Sequence, residues 1–126
     1  MSLEFVHSER APQAIGPYSQ AVVAGPFVFV SGQIPLDPAT GEMVPGEFGD
    51  QARQVFVNLD AILQAAGSQR AMVVKVTVFL TDLSRFAALN ELYSEYFGEH
   101  RPARAVVQVA ALPRGAQLEL EAVALR

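Results

Sequence analysis

The chain has 126 residues, 51% of them apolar and only 17% charged, with nine basic residues against thirteen acidic ones and a net charge of −4. That length suits one domain spanning residues 1–126, and so low a charge fraction covers a small domain's surface poorly, which points to self-association. Phosphate backbones and anionic bilayers need clustered Lys and Arg, so no nucleic acid and no membrane is expected as a partner, and the lack of cysteine excludes disulfides, thiolate catalysis and cysteine-held zinc.

Met1 to Arg10 carries Glu4, His7, Glu9 and Arg10 without an apolar segment, so it does not read as a signal peptide, and the expected compartment is the cytoplasm. Ala21 to Ala24 and Phe27 to Ser31 are runs of β-formers split by Gly25-Pro26, and they predict a hairpin. Residues 32–49 follow as a long ordered loop, too apolar for a free linker. Asp50 as N-cap and Gly67 as stop bound a helix over Gln51–Ala66, with Val55, Leu59, Ile62, Leu63 and Ala66 on one stripe. Val73 to Leu80 reads as a strand. One face holds Val74, Val76, Val78 and Leu80, and the other, with Val73, Lys75, Thr77 and Phe79, is also largely apolar, so both faces should be covered. Asp82 or Ser84 caps a second helix that buries Phe86, Leu89, Tyr93, Tyr96 and Phe97 and stops at Gly98. Ala103 to Val109 and Leu118 to Leu125 are two further strands, joined through Leu112-Pro113-Arg114-Gly115.

The order β-β-α-β-α-β-β is that of an α+β fold with a mixed sheet and both helices on one face, since crossovers between parallel strands keep one hand. Two helices leave the opposite apolar face bare. A second copy of the chain is expected there, against Phe27 or Phe29, Val28 or Val30, and one side of Val73 to Leu80.

Few residues can carry chemistry. His7 and His100 form no ligand-spaced pair, so no metal is expected. No glycine-rich phosphate loop and no G-x-S-x-G elbow is present. Ser31, at the end of a strand, is either a turn serine or a binding residue. Arg104 stands inside the apolar run Ala103-Arg104-Ala105-Val106-Val107, where a cation must be paired or must face a cleft. Glu119 and Glu121 share one face of the last strand. Pattern alone leaves open an Arg–Glu structural pair or a site in which the cation holds a substrate carboxylate and a carboxylate handles a proton. Tyr18 and Asn90 are equally open, as a half-buried packing residue and a solvent-facing helix residue or as pocket walls.

The segments IGPYSQAV (15–22), VSGQIPLDPATGE (30–42), QARQVFVNLDAILQAAG (51–67), VVKVTVFLTDLSRFAALNELYSEYFGEH (73–100), PARAVVQVAALP (102–113) and LELEAVA (118–124) together resemble the reactive intermediate deaminase family, also called the RidA or YjgF family. The likeness runs in order along nearly the whole chain. It implies a chorismate-mutase-like α+β fold and a homotrimer with active sites between subunits. The implied activity is hydrolysis of 2-imino acids, such as 2-iminopropanoate and 2-iminobutanoate, to 2-keto acids and ammonia, without a cofactor, which protects pyridoxal-phosphate enzymes. By the same resemblance Arg104 holds the substrate carboxylate, Glu119 helps place the attacking water, and Tyr18, Ser31 and Asn90 line the pocket. Val106 replaces the cysteine of well-studied members at a position thought to act through its main chain. The Gly98–Pro102 loop is shorter than in some members, which bears on pocket shape. Two other readings stand beside this one: a non-catalytic trimer that binds small carboxylates, and an RNA-cleaving protein, against which the acidic balance counts.

Overall fold

A computed structural model describes residues 2–126. Its elements in chain order are β1 (Leu3–Val6), β2 (Ala21–Ala24), β3 (Phe27–Gln33), α1 (Phe48–Ala65), β4 (Val73–Leu80), α2 (Phe86–Phe97), β5 (Ala103–Gln108) and β6 (Leu118–Leu125). The strands form one sheet in the order β1-β2-β3-β6-β4-β5. β4 and β5 run parallel and every other pair is antiparallel. Because β6 lies antiparallel between β3 and β4, α1 joins two parallel strands across it, and α2 joins the parallel neighbours β4 and β5. The fold is the α+β arrangement expected, with one strand more. The extra strand is β1, which lengthens the sheet by pairing with β2. Three of its four residues are exposed, so it offered no apolar alternation to read.

The turn between β2 and β3 forms because Gly25 takes a left-handed conformation, φ 60°, and Pro26 fixes the next residue. Alternation along the strands then sorts the two faces. Val28, Val30, Val76, Val78, Leu80, Leu118, Leu120 and Ala122 are buried under the helices. Val55, Leu59, Ile62 and Leu63 of α1 and Leu89 of α2 have no exposed surface, and side chains of this size each contribute about 1.5–3 kcal/mol by leaving water. Phe56, Tyr93, Tyr96 and Phe97 fill the space between the helices as an aromatic cluster, with ring centroids 4.7 Å apart for Tyr93–Phe97 and 4.9 Å for Phe56–Tyr96.

Three local readings need correction. The register of β4 on β6 shifts between Val73 and Lys75, so Val73 joins Val76, Val78 and Leu80 on the buried face while Val74 is exposed. A bulge of this kind inserts one residue and inverts the alternation before it. Asp50 is not the N-cap of α1 but its third residue; the cap is Glu47, whose backbone N–H donates to Asp50 Oδ2 at 3.0 Å. In the second helix the Asp82 carboxylate accepts from the Ser84 N–H and caps a short 3-10 turn, Leu83–Arg85, ahead of α2. Phe86 then stays 40% exposed, and Leu92 takes the place expected for it among the buried residues.

The second sheet face is as bare as the composition suggested. Phe27 and Phe29 are 43% and 46% exposed there, whereas Val28 and Val30 point to the helices. Of the two pairs weighed for a contact between copies, the phenylalanines are the ones available. No helix among the described residues is long and apolar enough to cross a membrane.

Candidate functional site

Arg104 reaches its position through strand register. It pairs with Val76 in the parallel β4–β5 ladder, so it lies on the helix side of the sheet, but β5 is the edge strand and the side chain emerges beside α2. There Nη1 donates to Asn90 Oδ1 at 2.8 Å. The guanidinium carbon stands 4.8 Å from the Tyr93 ring centroid and 5.5 Å from that of Phe86, within cation–π range of both. The ion pairs among the described residues are Arg70–Asp60 and Arg126–Glu4. Arg104 therefore has no carboxylate of its own chain, and the Arg–Glu structural pair is absent. Of five N–H donors on a guanidinium, one is engaged, which leaves a fork able to meet an external carboxylate.

Asn90, one helical turn before Ser94 on α2, serves to orient Arg104. Val106, two residues along β5, lies on the same face and packs half-buried against the core. The Tyr93 hydroxyl beneath the guanidinium is buried without a hydrogen-bond partner among the described residues. Burial pushes its pKa up, and the Arg104 charge opposes that only in part. It remains a neutral phenol.

Glu119 lies elsewhere. It pairs with Phe79, three residues beyond Val76, so strand alternation puts it on the opposite, bare face of the sheet from Arg104. β4 also stands between the two strands. Glu119 lines a cleft of about 310 Å³ together with Tyr18, Gly32, Pro113 and Arg114. A Cβ on Gly32 would come within 2.7 Å of Glu119 Oε2 and 2.9 Å of its Cδ, so the carboxylate rests on bare backbone. Burial raises the Glu119 pKa above the ordinary carboxylate range, and the Glu121 charge on the same strand face adds to the rise.

The walls of this cleft are held by buried amides that the sequence did not single out. Gln20 accepts from Ser8 N–H at 2.6 Å and donates to the carbonyls of Ser8 and Pro12 at 3.0 and 2.7 Å, which fixes the segment carrying Tyr18. Tyr18 itself is 53% exposed. Asn58, fully buried on α1, donates to Leu36 O at 3.0 Å and anchors the loop after β3. Ser31 donates its hydroxyl to Ser19 O at 2.6 Å. Its hydroxyl proton is thus spent on the backbone, in keeping with a turn serine, although its oxygen can still accept. Arg114 has φ 58°, the one positive value outside glycine among the described residues, and donates to Gly41 O at 2.7 Å. A non-glycine residue held there costs about 1–3 kcal/mol, and such residues gather at functional sites. The signal for it was the Pro-Arg-Gly turn itself; the link to Gly41 spans 73 residues and has no local signature.

Within one chain, then, Glu119 and Tyr18 share a cleft, Arg104 and Asn90 are in contact, and the two groups are on opposite sides of the sheet. No cluster of His, Asp or Glu suited to a metal ion occurs among the described residues.

Residues 8–126 match the family described as Endoribonuclease L-PSP. A RutC family protein of Pyrococcus horikoshii is 54% identical, with 98% of each chain covered. The 2-iminobutanoate/2-iminopropanoate deaminase of Homo sapiens is 47% identical, covering 96% of this chain and 88% of that one. Among solved structures, E. coli TdcF with bound serine superposes with a TM-score of 0.93 at 49% identity, covering 98% of both chains.

Proposed function

The chain belongs to the Endoribonuclease L-PSP family, the YjgF/RidA family, and from that premise we propose that it hydrolyses 2-imino acids to 2-keto acids and ammonia as a homotrimer. The observation that carries the reading is an oriented guanidinium with no anion of its own, Arg104, while Glu119, the one side-chain carboxylate of raised pKa among the described residues, stands on the other sheet face. The bare face around Phe27 and Phe29 calls for a second subunit, and a neighbour seated on it would bring its Arg104 toward this Glu119. The homotrimer, the role of each residue and the choice of 2-iminopropanoate or 2-iminobutanoate come from the family likeness, not from a contact seen in one chain.

In this mechanism the guanidinium grips the substrate carboxylate through two parallel charge-assisted hydrogen bonds, a geometry that lysine lacks. The iminium carbon beside it is thereby fixed against a water molecule, and positioning removes part of the barrier. As the water oxygen bonds to that carbon, the C=N π pair moves to nitrogen and Glu119 accepts the water's proton. Glu119 returns that proton to the amine nitrogen, the carbinolamine breaks its C–N bond to release ammonia, and the hydroxyl loses its proton as the carbonyl forms. A carboxyl pKa above the ordinary range suits Glu119 to both proton steps. Tyr18, Ser31 and the main chain at Val106 would complete the pocket. Imines hydrolyse unaided, so the residues need supply only a modest acceleration.

Coupling a threonine dehydratase to the protein and following 2-ketobutanoate tests this directly. Arg104→Lys should lose most of the acceleration while light scattering reports an unchanged assembly. Full activity in that variant would refute the proposal. The bound serine named for TdcF supports carboxylate recognition equally well in a non-catalytic binding protein; that second reading predicts wild-type turnover no faster than the blank. The family description names RNA cleavage, but a net charge of −4 supports a small anion over a polyanion.

A further inference from the structure

We propose that the groove between α1 and α2 is a second ligand site, one that binds a small carboxylate with an apolar body. The groove encloses about 420 Å³ and shares no residue with either the Glu119 cleft or the Arg104 cluster. That volume lies in the range of about 300–1,000 Å³ typical of small-molecule sites.

Its floor is apolar and rests on a buried aromatic stack. Phe56, itself buried, stacks on one face of Tyr96 at 4.9 Å and Arg70 covers the other, so the surface offered is aliphatic, with Leu92 on the α2 side and Val57 56% exposed on α1. Val57 and Leu92 face each other across the groove as an apolar wall that a ligand can cover.

Its rim is cationic in an acidic protein. Three of the nine basic residues, Arg10, Arg53 and Arg70, line it. They differ in what they already hold. Arg70 lies 4.5 Å over the Tyr96 ring, donates to Tyr96 O at 2.9 Å and faces Asp60 at 3.6 Å. Each Asp60 oxygen already accepts a bond, from Tyr96 Oη and Gln64 Nε2 at 2.7 Å each. These two charges therefore cancel within the protein. Arg53 has no hydrogen bond or ion pair among the described residues, and Arg10 makes only a 3.4 Å contact with Gln64. Against these two free cations stands one carboxylate, Glu95. The surplus of one positive charge beside an apolar wall fits a monoanion with an apolar body. A polyanion would meet Glu95 and too few cations.

The test is a titration of the wild-type protein with 4-phenylbutanoate, followed by NMR of the Val57 and Leu92 methyl groups. Saturable shifts at both positions are expected, and the alcohol 4-phenylbutan-1-ol should bind about tenfold more weakly for want of a charge-assisted contact. Arg10→Glu with Arg53→Glu should weaken the acid by at least about tenfold, whereas Glu95→Gln should tighten it, a gain that damage to the fold cannot mimic. Imine hydrolysis should be unchanged in both variants, so the outcome is separable from the catalytic proposal. Shifts confined to residues 86–90 and 104, an unsaturable response, or equal affinity across the charge variants would overturn the second site.

Discussion

If the proposed site takes Arg104 from one subunit and Glu119 from the next, two inactive proteins should restore each other. Arg104→Ala removes the carboxylate grip and Glu119→Gln removes the proton acceptor, so each assembly alone is silent. The placement of the two side chains on opposite sheet faces gives the yield on mixing. In a closed ring made from equal amounts of both chains, an interface works when one neighbour keeps its arginine and the other keeps its glutamate. Each condition holds for half of the chains, and about one quarter of the sites should therefore be intact. The two proteins are unfolded together, refolded, and assayed for 2-ketobutanoate release against the unmixed parents. Recovery near that fraction supports a site shared between subunits. Recovery no greater than the mean of the parents, with mixed assemblies demonstrated by mass spectrometry, would show that each chain supplies both residues and would refute the reasoning.

Asn90 offers a graded probe of the same cation. Asn90→Ala removes the 2.8 Å bond to an exposed guanidinium and should cost no more than about 1 kcal/mol, a fall of roughly fivefold in kcat/KM. Asn90→Asp puts a competing carboxylate at the same place, and a loss several times larger is expected; equal effects would mean that Arg104 does not bind the substrate anion. Gly32→Ala should abolish most activity with little change in Tm, because a Cβ 2.7 Å from Glu119 Oε2 forces the carboxylate to swing away; unchanged kcat/KM would remove Glu119 from the site. The pKa of Glu119 sets the pH behaviour. Its conjugate base is the working form, so activity should fall with decreasing pH through a value above the ordinary carboxylate range, and Glu121→Gln should move that limb to lower pH by removing the like charge. Stability carries the opposite sign. A carboxyl whose folded pKa is raised binds its proton more tightly in the native state, so charging it costs stability as pH rises. Glu119→Gln should accordingly raise Tm at pH 7, with the gain disappearing in acid, and calorimetry across that range checks it.

What could be read from the sequence was whatever local pattern determines. Both helices and five of the six strands announced themselves, since their apolar residues recur at the helical or strand period. β1 escaped because a strand paired on one edge with most residues exposed needs no alternation. The bulge before Lys75 escaped for a related reason: alternation assumes an unbroken register, and only the pairing with β6 shows the break. Arg104 was legible as a cation in an apolar strand, yet its contact with Asn90 crosses 14 residues. The Gly32–Glu119 approach and the Arg114–Gly41 bond are longer still. Contacts between distant segments leave no spacing to find.

The separation of Arg104 from Glu119 also gives the proposed association through the sheet a chemical purpose. Were both residues on one face, a lone chain could pair them into a salt bridge, and the cation would be lost to the substrate. Alternation on either side of β4 prevents that pairing in the monomer. It also leaves Glu119 beside exposed apolar residues that favour a covering neighbour. Burial of the bare face and the supply of a free guanidinium to Glu119 would then follow from one assembly step, and a variant that stays monomeric should retain the fold while losing both.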